Sequence, residues 1–149
     1  MEWIEFKGNE DIKRFLKMFG NFHDSCLKEL LMWTESYVDK DLSMGVGLGL
    51  DTNIRMLFQR QFNNPSAIEL LFEGVTQFHL SPSPENYDSI IFDAILLLQD
   101  GTVYWADSYD WKPSKQDDEV TWISSKRVKW RDVSHWMGDN RRYGMLNES

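Results

Sequence analysis

The dipeptide Asp100-Gly101, set between the apolar runs 95–98 and 103–106, constrains this chain more than any other feature. A two-residue type I′ turn needs positive φ at both central positions, and Asp-Gly supplies that at little steric cost. Pairing outward from the turn sets Leu98 opposite Val103 and Leu96 opposite Trp105 on one face. Leu97 with Tyr104 and Ile95 with Ala106 fall on the other. Both faces are apolar, so the hairpin must be central or covered on each side. The N-terminal helix or the C-terminal segment is expected to be the cover.

That helix is placed at about residues 10–19. Ile12, Phe15, Leu16 and Phe19 recur at helical spacing, Asn9 is positioned to cap, Glu10 and Asp11 face the positive end of the dipole, and Gly20 provides the stop. Beyond it the period changes to two. Residues 26–38 read as a strand, Asp39-Lys40-Asp41 as a turn, and 44–50 as a second strand with Met44, Val46, Leu48 and Leu50 on one face and Gly45, Gly47 and Gly49 on the other. A face made only of glycine has two readings. Either Trp33 and Tyr37 of the preceding strand lie over it, or a ligand or partner approaches the bare backbone.

A hairpin follows across Asn63-Asn64-Pro65-Ser66, pairing the run of Ile54, Met56, Phe58 and Phe62 with that of Ile68, Leu70, Phe72, Phe78 and Leu80. Glu69, Glu73, Gln77 and His79 occupy the opposite face of the second run. Val120, Trp122, Val128 and Trp130 mark a last strand, interrupted on that face by Ser124 and Lys126. In the tail, Trp136, Met137, Tyr143, Met145 and Leu146 are candidates to pack on the body. The expected fold is α+β: one N-terminal helix, then a mostly antiparallel, strongly curved, meander-like sheet of about six or seven strands over about 26–131, and a C-terminal tail at 134–149. One domain, 1–149, accommodates all of it.

Composition narrows function mainly by exclusion. With 42% hydrophobic residues the chain can bury a core, and no apolar run reaches the roughly 18 residues of a membrane span. The opening Met1-Glu2-Trp3-Ile4-Glu5-Phe6 has no leader character, so a cytoplasmic location without membrane contact is expected. Net charge −8 disfavours nucleic acid as a partner. The charge is uneven, however: residues 126–142 carry six basic and two acidic side chains, a local +4 that leaves −12 for the remainder. Either this segment docks on the acidic body and neutralises it, or it forms a separate patch for an anion or partner. The acidic remainder, if joined to exposed aromatics, suits recognition of a basic protein.

Reactive residues are sparse. His23, Asp24 and Cys26 lie together at the joint between helix and first strand and are the candidates for Cys/His hydrolysis, although near neighbours on an extended chain point apart. Asp24 and Ser25 equally suit a turn, and Cys26 a small core position. A metal site would have to be assembled by the fold, from His79 with Glu69, Glu73 or Asp93, because no ligand spacing is present. Gly45 to Gly49 lies in strand sequence without the helix that a phosphate-binding loop needs. No cofactor or metal is implied.

Three stretches carry a resemblance: Phe22-His23-Asp24-Ser25 leading into a strand, Ile68-Glu69-Leu70-Leu71-Phe72-Glu73-Gly74-Val75, and the Asp100-Gly101 hairpin ending in Tyr104-Trp105-Ala106-Asp107. The chain resembles small uncharacterised bacterial proteins, some of which are similar to immunity proteins of polymorphic toxin systems. That resemblance implies a role as an immunity-type inhibitor and brings no catalytic residue; with the −12 body and the aromatic loops, the expected function is a non-catalytic protein-binding module that masks a basic toxin. Trp33, Tyr37, Tyr87, Tyr109 and Trp111 are the expected binding surface. A small metal-dependent or Cys/His hydrolase and a homo-oligomerisation module are the alternatives.

Overall fold

Runs of alternating apolar residues broken by Asp-Gly, Asn-Pro and Gly signals fold as hairpins, and the hairpins here join into one curled sheet. A computed structural model describes residues 2–115 and 117–144. In chain order the elements are β1 (Ile4–Glu5), α1 (Asn9–Met18), a 3-10 turn (Gly20–Phe22), β2 (Ser25–Thr34), β3 (Tyr37–Val38), β4 (Met44–Gly45), β5 (Thr52–Arg60), β6 (Ala67–His79), β7 (Ile90–Ile91), β8 (Ile95–Gln99), β9 (Thr102–Ala106), β10 (Trp122–Asp132) and a second 3-10 turn (Ser134–Trp136). The fold is α+β, a half-barrel with strand order β7-β2-β5-β6-β10-β9-β8 and antiparallel pairing throughout. β1 adds to β10 at Lys129 and Trp130, past the stretch that β9 occupies.

The Asp100-Gly101 hairpin has the register its sequence dictates, with Leu98 opposite Val103, Leu96 opposite Trp105, and φ of 53° and 76° at the two turn residues. Leu96, Val103 and Trp105 face the main core. The cover on the other face differs from expectation. It comes from Trp111 in the following loop, which packs with Ala106, Val120 and Trp122 and against Ile95 and Tyr104, and not from the C-terminal segment.

The main core lies inside the curl, where Ile54, Met56 and Phe58 of β5 and Ile68, Leu70 and Phe72 of β6 meet Ile12 and Phe15 of α1. Phe22 fills the centre, with its ring 4.8 Å from Phe58 and 5.9 Å from Trp105. Each such ring contributes roughly 1.5–3 kcal/mol by leaving water. Asn9 does not cap the helix. Gly8 holds the cap position with no side-chain bond, while the Asn9 amide exchanges two 3.2 Å hydrogen bonds with the backbone of Leu98 on the free edge of β8.

Two backbone irregularities redirect faces that sequence periodicity joins. Gly74, at φ +67°, breaks the alternation of β6, and the register with β10 shifts between Ser124 and Ser125. Trp122 therefore joins the Trp111 cluster, whereas Val128 and Trp130 belong to the main core. The run 44–50 is also corrected: only Met44–Gly45 is strand, paired with Tyr37–Val38 in a separate two-stranded hairpin. Tyr37 does lie over a glycine, since a Cβ at Gly45 would collide with its ring, but Gly47 faces Asp51. Trp33 instead directs its indole N–H to Glu35 at 3.3 Å.

Outside the curl, residues 133–143 strap across β5, β6 and β2. Val133, Trp136 and Tyr143 pack on Leu57 and Ala67. Gln59 donates to the carbonyls of Trp136 (3.1 Å) and Gly138 (3.0 Å), and Glu29 accepts the amides of Arg142 (2.7 Å) and Tyr143 (3.1 Å). Beneath the strap Glu69 is fully buried and accepts from Arg55 Nε (2.9 Å), Arg131 Nε (2.7 Å) and the Tyr143 hydroxyl (2.7 Å). Lys129 pairs with Glu73 at 2.9 Å. The basic segment is thus docked on acidic groups of the body. Met145 and Leu146 lie outside the described residues.

Candidate functional site

The joint between α1 and β2 explains why its reactive side chains separate. Gly20, Asn21, Phe22 and Asp24 all have positive φ, between 54° and 62°, which buries Phe22 and swings His23 outward. His23 Nδ1 meets the Phe92 carbonyl at 2.6 Å and Asp93 at 3.3 Å, while Nε2 lies 3.4 Å from Asp24. The Phe92 carbonyl, followed by the charges of Asp24 and Asp93, raises the imidazole pKa above its usual value. Asp24 N–H and Ala94 N–H complete the join by bonding Ile91 and Asn21 carbonyls at 2.9 Å. His23 therefore ties the crossing segment 90–94 to the helix end.

Ser25 is buried and donates to the Phe22 carbonyl at 2.6 Å. Cys26 sits beside Gln59 and Ile90 in a depression with Met137, whereas His23 borders another with Lys17, Met18 and Phe62. No hydrogen bond joins Cys26 to His23 among the described residues, so a thiol with an adjacent base is not assembled. His79 is engaged with the Val120 carbonyl at 2.7 Å, Glu69 is saturated by two guanidiniums and a phenol, and Asp93 belongs to His23. No group of three His, Cys, Asp or Glu side chains able to hold a metal is found among the described residues.

The aromatic residues expected to form a surface divide. Tyr37, Tyr87 and Tyr109 are exposed, Trp33 is half-buried, and Trp111 is buried within its cluster and presents nothing to a partner. The feature that sequence reading undervalued is the arm of residues 35–51. Tyr37, Val38, Leu42, Met44, Val46, Leu48 and Leu50 are all exposed, Leu42 at 84% and Leu48 at 90%. Large contiguous apolar exposure marks an interaction site, whereas scattered single residues do not.

This arm is held by polar hooks and close packing on glycine. Asp39 Oδ1 accepts the amides of Asp41 (2.9 Å) and Ser43 (3.0 Å) at its tip. At its base Ser36 donates to Asp51 at 2.9 Å and accepts the Gly47 amide at 3.0 Å, and Glu35 N–H bonds the Asp51 carbonyl at 3.1 Å. Glu35 also accepts the Asn53 amide at 2.8 Å. The turn chemistry orders the backbone without burying its leucines, and Glu35, Asp39, Asp41 and Asp51 against Lys40 give the arm a net −3. What it can do chemically is present a preorganised apolar and acidic ridge.

Comparison with known proteins found no matching family model, no similar curated protein and no similar solved structure.

Proposed function

We propose that this protein is a non-catalytic cytoplasmic binding module that grips a basic partner protein with the arm 35–51, in the manner of an immunity-type inhibitor masking a toxin. The carrying observation is the ordered arm whose seven large apolar side chains face water. Its own −3 and the −8 of the whole chain favour a basic partner over a second copy, because like charge opposes self-association and opposite charge speeds encounter. The separation of His23 from Cys26 and the internal engagement of His79 and Glu69 argue against the hydrolase alternative. No described helix is long and apolar enough to cross a membrane.

The test is co-expression with the product of an adjacent gene, and capture from the native host, using the wild type and Leu42→Ser/Leu48→Ser. A stoichiometric basic protein should be recovered and should weaken with salt. Its affinity should fall at least about tenfold in the double variant, since each leucine withdrawn from an interface loses roughly 1.5–3 kcal/mol. A partner held equally by the variant would overturn the role of the arm. An arm-dependent dimer in light scattering, without a partner, would replace this reading by self-association.

A further inference from the structure

A cleft of about 400 Å³ lies where β2 and β10 begin and β6 and β9 end, beneath the loop that carries Pro82 and Pro84. Leu27, Ile91 and Trp105 contribute its inner wall, and the exposed side chains of Leu80, Ile90 and Phe92 its rim. Three carboxylates, Asp88, Asp107 and Glu119, line the same space, and among the described residues no Lys, Arg or His does. This volume falls in the ordinary range of small-molecule sites, which combine apolar walls with a few polar groups.

One polar group in the wall stands out. Asp107 is positioned by an antiparallel exchange with Thr121: its Oδ1 accepts the Thr121 amide at 3.0 Å, and its own N–H donates to the Thr121 carbonyl at 3.0 Å. Burial raises the pKa of its carboxyl above the usual value, so the anion there is poorly solvated. Thr121 in turn holds the overhanging loop, donating to the Ser81 carbonyl at 3.1 Å and accepting the Ser81 amide at 2.9 Å. The roof, the carboxylate and the apolar wall are one connected assembly.

From this we infer that the cleft binds a small amphipathic organic cation, an alkyl- or arylammonium whose charged end meets Asp107 and whose apolar body lies between Leu27, Leu80 and Ile90. The site is separate from the arm and stands whether or not the arm binds a protein.

The test is an NMR titration of the full chain with phenethylammonium, using its neutral N-acetyl derivative as the control. The amides of Ile91 and Thr121, which line the cleft, should shift saturably with the amine. Asp107→Asn keeps an oxygen for the Thr121 amide and should weaken binding about tenfold or more, the usual worth of a charge-assisted hydrogen bond. Absence of shifts at millimolar amine, equal binding of the neutral derivative, or unchanged affinity in Asp107→Asn would each overturn the assignment. A wild-type thermal melt of Asp107→Asn checks that loss of binding is not loss of fold.

Discussion

Replacing Glu69 by Gln should destabilise this protein by about 3 kcal/mol, because the carboxylate is fully buried between two guanidiniums. Oε2 accepts Arg55 Nε (2.9 Å), Arg55 Nη2 and the Tyr143 hydroxyl (2.7 Å), and Oε1 accepts Arg131 Nε (2.7 Å). A glutamine retains most of these donors by keeping its oxygen toward Arg55 and Tyr143, which turns its NH2 against Arg131. One donor then faces another, and neither guanidinium keeps the charge of Glu69. Breaking a buried pair from one side costs about 3–5 kcal/mol. The lower end applies because the Arg55 and Arg131 side chains retain 25% and 19% exposure, through which water can solvate them. For a domain of this size that is a melting temperature roughly 6–12 °C lower. Urea unfolding followed by tryptophan fluorescence should show a lower midpoint at unchanged slope. Adding Arg131→Met to Glu69→Gln should restore part of the loss, since it removes the donor that faces the glutamine NH2. A Glu69→Gln variant within about 1 kcal/mol of wild type would refute the account of the cluster.

Three further outcomes follow from the same geometry. Tyr143→Phe removes a hydrogen bond to a charged acceptor and should cost about 1.5–3 kcal/mol at neutral pH by urea unfolding. Burial, with Glu69 beside it, pushes the Tyr143 hydroxyl pKa far up, so the folded state holds that proton more tightly than the unfolded. Its stabilisation is then complete below the unfolded value of about 10 and is lost as pH rises beyond it; the gap between wild type and Tyr143→Phe should narrow there, and a gap that widens would contradict this. Gly101→Ala should cost about 1–2 kcal/mol from backbone strain alone, since φ is +76° and no atom lies within 4 Å of the added methyl; a neutral result in the melt would mean the turn relaxes freely. The His23 ring should titrate above its usual value of about 6.5 by NMR, with Asp93→Asn lowering the midpoint. Its contribution to stability is therefore full below that usual value and lost as pH rises through the folded midpoint, and an unperturbed His23 would deny the join to the crossing segment.

The hairpin at Asp100-Gly101 was readable to single-residue register because turn type fixes pairing locally, and the apolar stripe of α1 was readable because helical spacing is also local. Failures came where a non-local contact chose among locally equivalent conformations. Trp122 and Val128 look like one face until the shift at Ser124 and Ser125 separates them. Asn9 satisfies every rule for a cap and is taken instead by the free edge of β8, from which it is 89 residues distant. Glu69 is indistinguishable in sequence from Glu73 and Gln77, which share its side of the strand. What makes it central is the strap, whose signals in the sequence were the +4 of residues 126–142 in an acidic chain and the apolar Trp136 and Tyr143 of the tail.

The strap and the arm show why the functional proposal falls where it does. Both leave the sheet as irregular segments rich in large apolar residues, and both carry charge opposite in sign to one another. The strap finds its complement within the chain: Trp136 and Tyr143 cover Leu57 and Ala67, and Glu29, Gln59 and Glu69 receive its polar groups. The arm has no such complement among the described residues. Its alternate positions are glycines, which leave no second row of side chains to pack on the body, and Tyr37 is spent on covering Gly45. Turn hydrogen bonds at Asp39 and Asp51 nevertheless hold its backbone in one shape, so the entropy of ordering is met before any partner arrives. An ordered, acidic segment that keeps Leu42 and Leu48 in water is built like one side of an interface, and the charge on it assigns the other side to a basic surface.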